Sequence, residues 1–296
     1  MKRLLALILA LTLLFSLSAC GGDEENKAKE DERIQSAVAK EVSKTPIYDV
    51  NSVLSKAIDS IDNITSFRLK VENSADINMN GSVETISITG SGEYDVSGGR
   101  AFMDMTSKSG PLEMNTQGYI EIDGNVATVY AGVNGMWMRQ SVPTVQLDTY
   151  GMGYNGVEGL KFYLQSFETE SMENVGGDYV IHGHIVPERT MQVISGMGAG
   201  TQIAASGISE ELISEVLDDV KKVKITFTVD AANFFVKKIE MDASDAMNAM
   251  YDYIAENVAT QTPVYMRVER NTAYVEYYDY NTSINVVIPE GVKNNK

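Results

Sequence analysis

The chain is poor in the residues that enzyme chemistry most often uses. Its 296 residues include one cysteine, two histidines and one tryptophan. No Gly-x-Ser-x-Gly elbow occurs, so a serine hydrolase of that design has no nucleophile turn. The 41 acidic residues offer no pair that stands out for glycoside hydrolysis. His182 and His184 stand two apart on a strand-like segment and share a side. A metal there needs a third ligand, for which Asp178 or Glu188 has a suitable position, and the ordinary reading is an exposed pair on an outer strand face. Gly196-Met197-Gly198-Ala199-Gly200 imitates a nucleotide loop, but Thr201 holds the sixth place and no tight strand-turn-helix unit surrounds it. No cofactor and no catalytic residue are expected.

Positive charge and long apolar runs are scarce as well. Against the 41 acidic residues stand 24 basic ones, a net charge of −17. Such a body is repelled by nucleic acid and by anionic head groups, which argues against a nucleic-acid partner. After residue 17 no segment is long and apolar enough to cross a bilayer, which takes about 20 residues. The N-terminus itself reads as an export signal: Lys2 and Arg3, an uncharged stretch from Leu4 to Leu17, then small residues. Leu17-Ser18-Ala19-Cys20 resembles the lipobox of bacterial lipoproteins. That resemblance implies a signal peptide at residues 1–19 and a diacylglyceryl thioether on Cys20. The protein would then be held to a membrane on its extracytoplasmic face. Several acyl chains anchor firmly, since each buried methylene contributes about 0.8 kcal/mol. With that thiol consumed, disulfides, Cys-ligated zinc and cysteine catalysis are excluded. The mature chain keeps 22 basic residues against 41 acidic, a balance of −19.

Residues 20–45 are polar, charge-rich and free of aromatics, the composition of a solvated tether. A single domain is expected over residues 46–296. It opens with a helix capped at Thr45-Pro46, whose apolar side holds Ile47, Val50, Leu54, Ala57, Ile58 and Ile61. From Ser66 the apolar period becomes two. Asn80-Gly81, Gly98-Gly99, Asp123-Gly124 and Asn134-Gly135 punctuate this region, and Asn-Gly and Asp-Gly favour tight hairpins. The pattern predicts six antiparallel strands at 66–79, 82–97, 100–109, 112–122, 125–132 and 136–142. Beyond them it predicts helices at 157–167, 209–222 and 245–257. Further strands are expected at 178–186, 223–231, 233–242, 263–270 and 272–288. Eleven strands, several longer than the usual five or six residues, point to a wide curved sheet.

Two sets of residues have alternative readings. Met103 and Met105 share a strand face, as do Met136 and Met138 on either side of Trp137. Methionine fills irregular cores, and it also lines surfaces that adapt to varied ligands. Tyr274, Tyr278 and Tyr280 fall on one side of the last strand with Tyr277 opposite. Such a row is cross-strand packing or a binding face for a sugar or peptide.

Several stretches carry a further resemblance. They are "IDNITSFRLKVE" after the first helix, "GSGEYDVSGGRAFMDM", "VYAGVNGMWMRQS", "KITFTVDAANFFVKKIEMDAS" and the closing "INVVIPEG". Together they resemble Gram-positive surface lipoproteins similar to the half-barrel group of the carrier LolA and the mycobacterial lipoproteins LppX and LprG. The resemblance implies an α+β fold in which a strongly curved antiparallel half-barrel of about eleven strands wraps several helices around an apolar cavity. It implies a non-catalytic protein that takes a lipid or other amphiphile as ligand. The wall would comprise Phe67, Leu69 and Val71, then Met103, Met105, Ile120 and Ile122, then Met136 and Met138. Leu160 and Leu164 of one helix and Leu212 and Val216 of another would gate it. The same fold also serves sensors and interaction modules resembling RseB, so an envelope protein partner is the alternative.

Overall fold

The computed structural model describes residues 48–144, 147, 156–187, 189–190, 223–257 and 266–294. Cys20, residues 1–45 and the predicted helix at 209–222, with Leu212 and Val216, lie outside them. The first described element is helix α1 (Val50–Ile61). Its N-cap is Asp49, in extended conformation, whose carboxylate accepts the Ser52 N–H at 3.0 Å. The expected Thr45-Pro46 cap lies outside the described residues, and the described helix starts at Val50. An acidic side chain satisfies an otherwise orphaned amide there.

A meander of six strands comes next: β1 (Ser66–Met79), β2 (Ser82–Asp95), β3 (Arg100–Ser109), β4 (Leu112–Asp123), β5 (Val126–Val133) and β6 (Met136–Pro143). Asn80-Gly81 and Asn134-Gly135 both hold two consecutive positive φ angles, 52° and 87°, and 48° and 84°. That geometry matches the twist of the flanking strands. Helix α2 (Val157–Gln165) leads into β7 (Phe167–Val175), β8 (Asp178–Ile185), β9 (Lys224–Asp230) and β10 (Val236–Asp242). Helix α3 (Ser244–Asn257), strand β11 (Met266–Tyr278) and the short helix α4 (Glu290–Lys293) complete the chain.

All eleven strands form one antiparallel sheet in the order β6-β5-β4-β3-β2-β1-β11-β10-β9-β8-β7. The first meander runs outward from β1, the second returns inward to β11, and the two join where β1 pairs with β11. At about 4.8 Å per strand a flat sheet of this size would be roughly 50 Å wide. Yet Val142 of β6, at one edge, belongs to the same packed cluster as Phe167 and Met172 of β7, at the other. The sheet is therefore bent into an open half-barrel. Its inner face is lined by Phe67, Leu69 and Val71 and packs on Val53, Ala57 and Ile61 of α1 and Leu160 and Leu164 of α2.

The second half corrects two expectations. Residues 167–175 form a strand where the pattern predicts the end of a helix at 167 and no element before 178; Glu168, Glu170, Glu173 and Asn174 mask its alternation, and only Phe167 and Met172 reach the core. The predicted strands 263–270 and 272–288 are one strand, Met266–Tyr278, with an irregularity opposite Asp76 and Ile77. After Tyr278 the chain turns, because Asp279 and Asn281 hold φ angles of 54° and 57°. The turn carries Tyr280 to the inner side with Tyr277, where its hydroxyl donates to the Val236 carbonyl at 2.5 Å. The expected row of Tyr274, Tyr278 and Tyr280 is thus broken. Asn281 fixes the turn by accepting from Thr65 N–H at 2.7 Å and donating to the Asn63 carbonyl at 3.1 Å.

Candidate functional site

Strand pairing decides which side chains share the inner face. Across β3 to β6 one row reads Met103, Gly118, Ala131 and Met138. The next reads Met105, Thr116, Val133 and Met136. Beyond these come Ser107 with Met114, then Ser109 with Leu112. Six apolar side chains long enough to touch a ligand, five of them methionines, therefore lie together on the inner side of this wing. They are not equally covered. Met103 and Met105 lean against the core, whereas Met136 is 73 % exposed, Met138 68 % and Leu112 54 %. Folding normally removes such surface from water. Met114 and Leu112 join the face although sequence reading passed over them; their signal was alternation with Glu113 and Asn115 along β4.

The other expected wall residues sit deeper. Phe67, Leu69 and Val71 are fully buried, as is Leu160; Ile120 and Leu164 are nearly so. Phe67 stacks on Tyr94 with ring centroids 4.5 Å apart and lies 5.9 Å from Tyr277. This part of the inner face holds α1 and α2 in place. Ile122, near the β4–β5 turn, is 41 % exposed at the rim.

Beside the methionine face lies a polar group that sequence reading did not identify. Asn73 of β1, Asn271 of β11 and Tyr251 of α3 are all buried. Asn73 pairs with Ala273 and Asn271 with Ala75, so the two amides are diagonal neighbours on the inner face. Both polar atoms of Asn73, Oδ1 of Asn271 and the Tyr251 hydroxyl find no hydrogen-bond partner among the described residues. Burial holds the Tyr251 phenol in its neutral, donating form by raising its pKa. An unsatisfied buried polar atom costs about 1–3 kcal/mol, so each of these four atoms burdens the ligand-free fold. The row through Asn73, Ile88, Ser107 and Met114 runs next to the one through Met105 and Met136. The sequence clue was one asparagine interrupting the apolar alternation Phe67, Leu69, Val71, Ala75, Ile77.

The histidines are not an exposed pair. His184 is 2 % exposed, with Nε2 3.0 Å from the Glu168 carboxylate and Nδ1 3.1 Å from that of Glu170. A register irregularity between Thr169 and Ser171 brings both acids alongside one ring. His182 meets Thr226 Oγ1 at 3.0 Å and Glu173 at 3.5 Å. Among the described residues no group of three side chains is arranged to hold a metal ion.

An open antiparallel half-barrel, helices on its inner face and a methionine-rich wing beside them, defines the class of fold. The chain belongs to a family of unknown function, DUF6612, whose model matches residues 49–296. Comparison with curated proteins gives no match. Among solved structures the chain is similar to LprF from Mycobacterium bovis, with 9 % identity and a TM-score of 0.38 over 80 % of this chain and 95 % of that one. It is similar to a DUF1329 family protein from Desulfovibrio piger, with 11 % identity and a TM-score of 0.27 over 80 % and 95 %. A β-barrel-like DUF1849 protein from Brucella abortus gives 8 % identity and a TM-score of 0.26 over 73 % and 99 %. No helix among the described residues is long and apolar enough to cross a membrane.

Proposed function

We propose that the protein is a non-catalytic lipoprotein of the extracytoplasmic membrane surface that binds a lipid or similar amphiphile against the inner face of its half-barrel. The observation that carries this reading is the exposure of Met136 and Met138 on the inner side, in register with Ala131 and Val133. Covering about 200 Å² of that surface contributes roughly 5 kcal/mol before the costs of association. Flexible, polarizable methionine suits an acyl chain, which has no fixed shape. The Asn73, Asn271 and Tyr251 atoms supply hydrogen bonds for the polar end. Acyl groups on Cys20 and the tether at 20–45 hold the domain near the bilayer, the source of such a ligand.

The experiment is a titration of the full chain with N-phenyl-1-naphthylamine, an apolar dye that fluoresces when removed from water, followed by displacement with palmitate. Saturable dye binding that palmitate reverses, weakened at least tenfold in the Met136→Glu/Met138→Glu double variant, agrees with the proposal. Absence of saturable binding, or equal binding by the double variant, contradicts it.

A further inference from the structure

The opposite face of the same strands carries a second concavity. Its volume is about 420 Å³, within the range of small-molecule sites. Alternation along the strands places it: Met103 and Met105 point inward, so Asp104 and Thr106 point outward. Met136 and Met138 likewise leave Trp137 between them on the outer side. The row Asp104, Gln117, Gly132, Trp137 crosses β3 to β6 in direct register. Gly132 is the floor. A Cβ there would stand 2.9 Å from the fused-ring atoms of Trp137, so the absence of a side chain lets the indole lie across the backbone. Tyr119 steadies the ring on one side, with centroids 5.7 Å apart. Behind Tyr119 and Trp137, Tyr130 packs under Ile288 and Val292 of the C-terminal segment.

The polar rim is also held in place. Gln117 Nε2 donates to Asp104 Oδ2 at 3.1 Å, and Thr106 Oγ1 donates to Asn115 Oδ1 at 2.8 Å. Asn134, in the tight β5–β6 turn, accepts the Asn115 N–H on its Oδ1 at 3.2 Å. These bonds orient the amides and leave the Nδ2 donors of Asn115 and Asn134 and the second oxygen of Asp104 for a ligand. No lysine or arginine lines the hollow.

We infer that this outer hollow is a saccharide-binding site for a neutral hexose or N-acetylhexosamine unit of a glycan. A pyranose has one apolar C–H face and a rim of hydroxyls. The Trp137 ring matches the first, and the amides and the Asp104 carboxylate match neighbouring hydroxyls, each able to donate and accept. The carboxylate, with no cation beside it in the hollow, disfavours phosphate, nucleic acid and anionic sugars. The prearranged rim keeps the ordering cost of binding low. The site lies on the other side of the sheet from the amphiphile face and does not depend on it.

Trp137 is the only tryptophan among 15 tyrosines, so emission excited at the red edge, where tyrosine does not absorb, reports on this site alone. The test titrates the full chain, kept in a sugar-free detergent, with cellotetraose, chitotetraose, maltotetraose and mannotetraose. At least one should shift the emission saturably, with a Kd of about 0.1–1 mM. Asp104→Asn and Gln117→Ala should each weaken it about tenfold without changing the circular dichroism spectrum. Calorimetry with Trp137→Ala should show no binding, whereas Met136→Glu/Met138→Glu should bind as the parent does. The inference fails if none of the four sugars moves the emission up to about 10 mM. It also fails if calorimetric binding survives Trp137→Ala, or if neither rim variant weakens it.

Discussion

Asn248 of α3 holds the backbone of Val268 with both ends of its amide. Its Oδ1 accepts the Val268 N–H at 2.7 Å, and its Nδ2 donates to the Val268 carbonyl at 3.0 Å. Strand β10 pairs with β11 only along the Ala273–Glu276 stretch, so Val268 lies on an edge of β11 that β10 does not reach. One side chain thus does there what a neighbouring strand would do, and it fixes α3 over Asn271 and the buried polar group. Asn248→Ala leaves both backbone groups of Val268 partly buried and unpaired. It should lower stability by about 2–3 kcal/mol, read as a shift of the urea midpoint with unchanged m-value.

Gly183 of β8 sits against β7 where no side chain fits. A Cβ would lie 2.0 Å from the Glu168 carbonyl oxygen and 2.7 Å from the Phe167 ring. That ring packs edge-on against Phe227, with centroids 5.0 Å apart, so it has little freedom to withdraw. Gly183→Ala should destabilise by about 3 kcal/mol by forcing the edge strand outward. An equilibrium denaturation curve that overlays the parent would refute this packing.

Alkaline pH should weaken the fold. Burial pushes the phenol groups of Tyr94, Tyr251, Tyr277 and Tyr280 well above their ordinary value. In the unfolded chain they lose their protons near pH 10, while in the folded chain they keep them. The unfolded state then binds fewer protons, so stability is complete below about pH 10 and declines as pH rises. Each such tyrosine contributes up to about 1.4 kcal/mol per pH unit to that decline. Urea midpoints between pH 8 and 11.5 should stay level and then fall. The Tyr94 hydroxyl meets only the Met103 sulfur among the described residues, at 3.3 Å, so Tyr94→Phe should make the fall shallower.

The buried amides give a prediction of opposite sign. Asn73 makes no hydrogen bond through its side chain among the described residues, so Asn73→Leu removes a cost without breaking a bond. The ligand-free protein should gain about 1–3 kcal/mol in urea denaturation. The same variant should bind palmitate several-fold more weakly, because the polar end of the ligand loses its partner.

The first half of the fold was legible because each turn announces itself. Asn80-Gly81 and Asn134-Gly135 admit the left-handed conformation that tight hairpins require, and strict alternation between them fixes which face is inward. Met103, Met105, Met136 and Met138 were identifiable as shared faces for the same reason. The second half was harder. Strand β7 is an edge strand, exposed for most of its length, and its acids hide the alternation. Tyr280 changes sides because Asp279 and Asn281 adopt positive φ, which both residue types tolerate but which no following glycine marks here as it does at Asn80-Gly81. The eleven strands were counted correctly only because a missed β7 offset a β11 divided in two. Asn73 and Asn271 escaped notice because an asparagine in a strand reads as solvent-facing until the pairing places it inward. The polar outer hollow needed four strands in register before its residues met.

The most direct test of amphiphile binding is where a bound acyl chain lies. The full chain would be irradiated with a diazirine-bearing palmitate and the labelled peptides identified by mass spectrometry. Label should fall on the inner side of the first wing, at Met103, Met105, Met114, Met136 or Met138, and excess unlabelled palmitate should abolish it. Label confined to outer-face residues such as Trp137 and Gln117, or none that palmitate competes away, would contradict the account.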